Sequence, residues 1–361
     1  MGKRIAVCTI FFISFLASNF VYAIPADSLR FKMGILPSVF YTPETKLGFG
    51  GMFYTYFKLS KGDTITKKSN SQSYFSYTLN KQFSFENDYQ IWLKKNKFYS
   101  SGAIDFSRFP QFYYGIGNTT NENDKIMVSF DVIRVQTKNF IRLSNMLYGG
   151  ILFQYQKVYN QDIELMSSGT CMEIYGNKGY EAKGIGPILM IDKRDNPLNP
   201  AKGFYIETSY VDYKSIITNT NMFSSFTFDA KKFHTFYSKL ISNSNLYLSF
   251  NKGNVPYRML PEIGGARFLR GYYRGRFRDN NMVIIQQEFR MPIYKAFGLA
   301  VFGGVGEVAN TLPQLQTNEI HYNYGIGLRL RVNKKENTNI RIDYGFTKDS
   351  QGLYIVFAEA F

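Results

Sequence analysis

Cysteine, histidine and tryptophan are all scarce: 361 residues include 2 Cys, 2 His and 1 Trp. His234 and His321 are widely separated, so no imidazole or thiolate cluster with metal-ligand spacing can form. No nucleophile elbow or phosphate-cradling glycine loop is present either; "GNTTN", from Gly117, is a loop. These absences argue against an enzyme, a bound metal and a cofactor. Cys8 sits in the first apolar run, which leaves Cys171 as a lone bystander thiol and no intramolecular disulfide. After residue 23 no apolar run approaches the roughly 20 residues of a membrane helix. Acidic residues are outnumbered, 27 against 43 Lys and Arg, for a formal charge of +16. Such a balance signals attraction to anions without specifying nucleic acid.

What is present begins at the N-terminus. "MGKR" is a positive start, "IAVCTIFFISFLA" an apolar run, and Val21 and Ala23 form a small-residue exit. This pattern is a secretory signal peptide over 1–23, cut after Ala23. Cys8 lies upstream of the exit, which argues against a lipoprotein anchor. The exported part, 24–361, reads as one domain without repeats or low-complexity tracts. Aromatics are abundant, with 34 Phe and 28 Tyr.

Period-2 alternation dominates. In "TNIRIDYGF", Ile340, Ile342, Tyr344 and Phe346 alternate with Arg341, Asp343 and Gly345. In "YNYGIGLRLRV", Tyr324, Ile326, Leu328 and Leu330 alternate with Gly325, Gly327, Arg329 and Arg331. Nearly every strand carries an apolar face, and no helical segment exists to cover it. A transmembrane antiparallel β-barrel, apolar outside and polar inside, accommodates this all-β pattern. Sixteen strands are expected, near 31–40, 46–58, 70–81, 83–94, 97–108, 125–138, 142–156, 181–192, 203–213, 222–236, 240–251, 282–292, 297–308, 321–333, 338–347 and 352–361. Short connections at 139–141, 293–296 and 334–337 fall on the periplasmic side of such a barrel. Long ones at 109–124, 157–180, 252–281 and 309–320 fall outside. Localisation is then the outer membrane of a Gram-negative bacterium.

The sixth outer loop carries "GGARFLRGYYRGRFRDNN", Gly264 to Asn281. A nucleic-acid patch, a hydrated loop meeting lipopolysaccharide phosphates and a buried plug are all compatible with its arginines. An exported barrel does not routinely meet nucleic acid, which disfavours the first. In an extended loop Arg274, Arg276 and Arg278 would point the same way, toward luminal packing or an anionic surface. Glu288, with Gln286 and Arg290 as same-face neighbours, alternates with Val283, Ile285, Gln287 and Phe289, so it should be luminal.

Several motifs in order resemble the BamA/TamA outer-membrane assembly superfamily, also called bacterial surface antigens. They are "LRGYYRGRFRD" in the sixth loop, "DKRDNPLNPAKGFYIE" from Asp192, "YYGIGN" from Tyr113, and "QQEFRMPI", "VFGGVGEV", "YGIGLRLR" and "RIDYGF" near the end. The resemblance implies a sixteen-stranded barrel whose sixth loop folds back into the lumen. Its motif residues would be Leu269, Arg270, Gly271, Tyr272, Arg274, Gly275, Arg276 and Asp279. Arg270 would reach acidic residues on the inner wall. The family usually supplies one acid where this sequence has Gly304; Glu288 alone, or Asp343, would have to hold Arg270. About seven residues separate the leader from the first strand, so this is expected to be a short form without periplasmic chaperone-docking modules.

A weak seam is expected where the first strand meets the last. Gly34 and Pro37 lie in the first, and proline lacks a ladder donor. Glu359 occupies a lipid-facing position of the last strand, which ends at Phe361. Pro37 has a second reading, as part of a segment in the periplasmic rim ahead of the strand. The expected role is non-catalytic help in outer-membrane biogenesis: inserting or translocating proteins, or handling lipid. Partners would be outer-membrane lipid, lipopolysaccharide and nascent outer-membrane proteins. Alternatives are a passive pore, anion-favouring through Arg290, Arg329, Arg331 and Arg341, and a surface antigen contacting external partners.

Overall fold

A computed structural model describes residues 31–42, 46–59, 63–164, 175–237, 239–315, 319–333 and 338–360. The expected signal peptide, Cys171, the 334–337 turn and Phe361 lie outside the described residues. Nineteen strand elements are present among the described residues. The first five are β1 (Phe31–Thr42), β2 (Lys46–Phe57), β3 (Ser69–Thr78), β4 (Phe83–Leu93) and β5 (Phe98–Arg108). After the short β6 (Gln111–Tyr113) come β7 (Ile126–Arg142), β8 (Leu147–Glu164), β9 (Tyr180–Asp192), β10 (Gly203–Ser215), β11 (Asn221–Phe236) and β12 (Leu240–Gly253). Two-residue β13 (Glu262–Ile263) and β14 (Phe277–Arg278) precede β15 (Asn281–Tyr294), β16 (Phe297–Ala309), β17 (His321–Asn333), β18 (Thr338–Phe346) and β19 (Gln351–Phe357). Every expected strand overlaps one of these elements. Among the described residues there is no α-helix, only 3₁₀ turns at Glu122–Asp124 and Leu312–Gln314.

The long strands form one antiparallel meander, each paired with its neighbours in the chain. Period-2 chemistry decides which face is which. On β15, Gln286, Glu288 and Arg290 are buried while the alternating Ile285, Phe289 and Met291 are exposed. Val301, Ile326 and Leu328 continue that exposed apolar face. The outer face is apolar, whereas the inner face mixes polar and charged side chains with buried apolar clusters, such as Trp92, Tyr99 and Phe140, and Leu269, Met282 and Ile284. The turn expected at 139–141 is at 143–146 instead, because β7 runs four residues past its expected end and β8 begins five residues after its expected start.

The two ends of the sheet approach each other. Tyr54 of β2 stacks on Phe357 of β19, ring centroids 5.4 Å apart, and Tyr56 Oη lies 3.2 Å from Thr338 Oγ1 of β18. Gly34 makes this possible: a Cβ there would sit 2.3 Å from the Tyr54 ring. Pro37 pairs with Gly51 inside β1, so the reading of Pro37 as a pre-strand segment is corrected. No ladder joins β1 to β19 among the described residues.

Glu359 also departs from expectation. β19 stops at Phe357, and Ala358 adopts a left-handed φ of 65° that breaks the alternation. The Glu359 side chain therefore turns inward, where it is 2 % exposed, rather than toward the outer face.

Candidate functional site

The segment between β12 and β15 does not run extended. Ile263 pairs with Phe277, and Glu262 with Arg278, closing a small hairpin around the motif. Gly275, at φ +78°, makes the return turn, and this breaks the expected common direction of three arginines. Arg274 Nε donates to Glu262 Oε1 at 2.7 Å from an exposed position. Arg276 donates to Thr120 Oγ1 at 2.7 Å. Arg278 is buried and bridges to Glu262 Oε2 at 3.2 Å. Burial pushes the Glu262 carboxyl up, but Arg274, Arg278 and Arg258 outweigh it and hold the pKa at about 2. Asp279 is shifted the other way: burial raises its carboxyl despite the N–H of Asn280.

The tip of the loop lies on the inner wall of β15–β19. Leu269 is fully buried with φ +48°, a conformation unusual for leucine, and its N–H donates to Gln286 Oε1 at 3.1 Å. That left-handed turn aims the next side chain, Arg270, at the wall. Arg270 Nη2 donates to Glu288 Oε2 at 2.8 Å and Nη1 to Asp343 Oδ2 at 2.5 Å. The guanidinium stacks over Phe302, 3.5 Å from the ring centroid. Its backbone is held too: Asn323 Nδ2 donates to Arg270 O, and Gly271 N donates to Tyr354 Oη. Tyr354 Oη in turn donates to Tyr272 O at 3.1 Å, and Ser350 Oγ to Gly271 O at 2.9 Å.

Glycines on the wall make room for this contact. A Cβ on Gly345 would meet Arg270 O at 2.3 Å, and one on Gly304 would meet Leu269 Cδ2 at 2.9 Å. Gly304 is thus filled by Leu269 rather than left vacant. The two-acid clamp forms with Asp343 and Glu288 together, neither having to hold Arg270 alone.

The ion pairs continue beyond Arg270. Arg329 Nη1 lies 2.6 Å from Asp343, Nη2 3.2 Å from Glu288, and Nε 2.8 Å from Glu359. Arg290 Nη1 is 3.3 Å from the other Glu359 oxygen, and Arg341 also pairs with Asp343. All seven side chains are buried. Each carboxylate faces at least two guanidiniums, the arrangement that offsets the desolvation of buried charge. Arg290, Arg329 and Arg341 are therefore committed to ion pairs and do not form the free anion lining that a pore needs; Arg331 alone of the four is exposed.

Two further segments close on the site. From the long-loop end, "YYGIGN" packs on the hairpin: Gly117 N donates to Arg278 O at 2.8 Å and Val308 N to Asn118 Oδ1 at 3.1 Å. His321 stacks on Phe277 and lies 3.0 Å from Asn118 O. From the opposite end, Asn199 and Pro200 of the 193–202 turn meet Arg290, with Nη1 2.8 Å from Asn199 Oδ1. The remaining lumen holds polar cavities of about 480 Å³ and 430 Å³ beside the β3–β8 wall. Among the described residues no cluster of His, Cys, Asp or Glu could hold a metal. Of the seam candidates, Gly34 and Pro37 are on β1 and Glu359 in the ion-pair chain. Sequence reasoning missed Arg329, Phe302 and Tyr354 as parts of the site.

A family model for the Omp85 superfamily domain matches residues 42–357. The chain belongs to the Omp85 superfamily. Its architecture is that of an outer-membrane β-barrel of the Omp85 type. BamA from Haemophilus ducreyi lacking POTRA domains 1–3 is similar over 90% of this chain and 69% of its own, with 13% identity and a TM-score of 0.55. CdiB from Acinetobacter baumannii is similar over 91% and 59%, with 10% identity and a TM-score of 0.55. CdiB from Escherichia coli is similar over 93% and 62%, with 9% identity and a TM-score of 0.56. At these identities the likeness is one of fold. No curated protein sequence matches the chain.

Proposed function

We propose that this Omp85 chain is a non-catalytic helper in the biogenesis of a Gram-negative outer membrane, inserting or translocating polypeptide, or handling lipid, where β1 approaches β19. Nascent outer-membrane proteins are its clients, and outer-membrane lipid and lipopolysaccharide surround it. With no nucleotide-binding motif, the driving energy comes from the client's own folding into lipid.

One observation carries this reading. The loop tip and the end of the last strand share a single chain of buried ion pairs, Arg270–Glu288/Asp343–Arg329–Glu359. Such a chain makes the loop a brace for the sheet end at the junction. A client strand that displaces the β19 tail would have to break Glu359 from Arg329, and that disturbance reaches the loop through Asp343. A passive anion pore is poorly served by a lumen whose arginines are paired.

The test is a proteomic comparison of outer membranes with and without this chain. Lower levels of other outer-membrane proteins after depletion are expected. An unchanged proteome, together with a steady anion-selective current unaffected by Arg270→Ala, would favour the pore instead.

A further inference from the structure

A groove crosses the outer wall at the end of the sheet away from the 254–280 loop. It is lined by Leu93, Phe98, Ile141 and Ile151, with Gly149 and Gly150 between them; Leu143 covers Gly149, its Cδ1 2.8 Å from where a Cβ would stand. Its volume is about 570 Å³. Ile151 and Ile141 are 56% and 42% exposed, so its flanks are open. Within this apolar trough lies a polar pair: Ser100 Oγ donates to Asn139 Oδ1 at 2.9 Å, and Asn139 is exposed.

The mouth of the groove is cationic. Lys94, Lys95, Lys97 and Arg142 are all exposed there, and neither the 94–97 nor the 143–146 turn contains an acid. Lys94 Nζ and Lys97 Nζ lie 5.4 Å and 5.8 Å from the centroid of Phe98, placing both amines over the groove wall. The turn that presents them is fixed. Lys95 N donates to Thr66 Oγ1, Asn96 Nδ2 to Ile65 O, and Lys67 N to Asn96 Oδ1, at 2.8, 3.1 and 2.8 Å. Arg142 N donates to Lys97 O at 2.8 Å, tying the second turn to the first.

An apolar trough with a polar pair inside and, among the described residues, amines without a carboxylate partner at its mouth is complementary to one kind of molecule. It needs an acyl chain, ester oxygens and an anionic headgroup in that order. We propose that this groove is a binding site for an anionic glycerophospholipid. The phosphate is met by Lys94, Lys97 and Arg142, an ester carbonyl by the second N–H of Asn139 Nδ2, whose first donates to Thr137 Oγ1, and an acyl chain lies along Phe98, Ile141 and Ile151. The site rests on the outer wall facing lipid and is independent of the biogenesis role.

The experiment is native mass spectrometry of the full chain in detergent, titrated separately with phosphatidylglycerol, phosphatidylethanolamine and lipid A. The comparison variant is Lys94→Asn/Lys97→Gln/Arg142→Gln; asparagine tolerates the left-handed φ of 48° at position 94. A second variant, Ile151→Trp, fills the groove and leaves the charges alone. Heat-modifiable migration on gels verifies that each variant is folded. Phosphatidylglycerol is expected to bind the parent chain in preference to phosphatidylethanolamine. It should lose at least about tenfold in the triple variant, since one cation near an anionic surface is worth roughly fivefold, and lose binding in Ile151→Trp. Equal binding of the two phospholipids, unchanged binding in folded variants, or preference for lipid A would overturn the assignment. So would displacement of phosphatidylglycerol by a soluble polyglutamate peptide that itself binds at the cations, which would give the surface to an acidic protein.

Discussion

Arg329 and Glu359 are joined at 2.8 Å, and with the Arg290–Glu359 pair at 3.3 Å this bond ties the end of the last strand to the acids that hold the loop arginine. Removing Glu359 takes the tail's contacts with Arg329 and Arg290, while Arg329 keeps Asp343 and Glu288. Glu359→Ala is therefore expected to loosen the tail. In a Cys171→Ser background, a cysteine at Ala360 should react with a maleimide faster when Glu359 is replaced. Equal labelling rates would mean that the pair does not restrain the tail.

The loop clamp should behave as a unit. Arg270→Ala and Glu288→Ala are each expected to destabilise by about 3–5 kcal/mol, and the double variant by less than their sum. A coupling energy of about 1–3 kcal/mol is expected from urea unfolding in detergent. Strict additivity would separate the two residues. Arg270→Lys should recover only part of the loss, because an ammonium cannot bridge Glu288 and Asp343 with a planar fork.

Wall glycines give a graded test. A Cβ on Gly345 would collide with backbone, Arg270 O at 2.3 Å, whereas one on Gly303 would meet only Asn323 O at 3.2 Å. Gly345→Ala is expected to cost about 1–3 kcal/mol or displace the loop, and Gly303→Ala well under that. Limited proteolysis of the 254–280 loop is the readout, with cleavage in the first variant only.

Acid should release the hairpin late. Glu262 has a folded pKa of about 2 against an ordinary value near 4.3. A depressed carboxyl stabilises the fold fully above the unfolded pKa and loses that contribution as pH falls through the folded one. Hairpin protection from labelling should hold from neutral pH to about 5 and decline between about 4 and 2. Glu262→Gln should remove the loss of protection between about 4 and 2.

Much of this was legible in the sequence, because period-2 alternation is a direct imprint of a sheet with one apolar face. Glu288 is placed in the lumen by its same-face neighbours Gln286 and Arg290 and by the alternating Val283, Ile285 and Phe289. At two of the places where the structure differs, one backbone angle is responsible. The left-handed Ala358 reverses Glu359, and Gly275 scatters Arg274, Arg276 and Arg278; alternation carries no mark of either. Gly304 looked like a missing acid because side-chain identity was weighed without volume. The glycines of "VFGGVGEV" and "YGIGLRLR" were themselves the signal of a close approach, since Leu269 packs against Gly304 and Gly306. Arg329 gave no signal, because an inward arginine reads the same whether it lines a pore or sits in a salt bridge.

The most direct test of the account is whether the loop tip lies against β16 in the membrane. A cysteine at Leu269 paired with one at Gly304, in a Cys171→Ser chain, should be closed by a short bismaleimide in intact outer membranes. Both thiols should resist a bulky water-soluble maleimide. A freely labelled Leu269 cysteine that never cross-links would place the arginine loop outside the lumen and contradict the account.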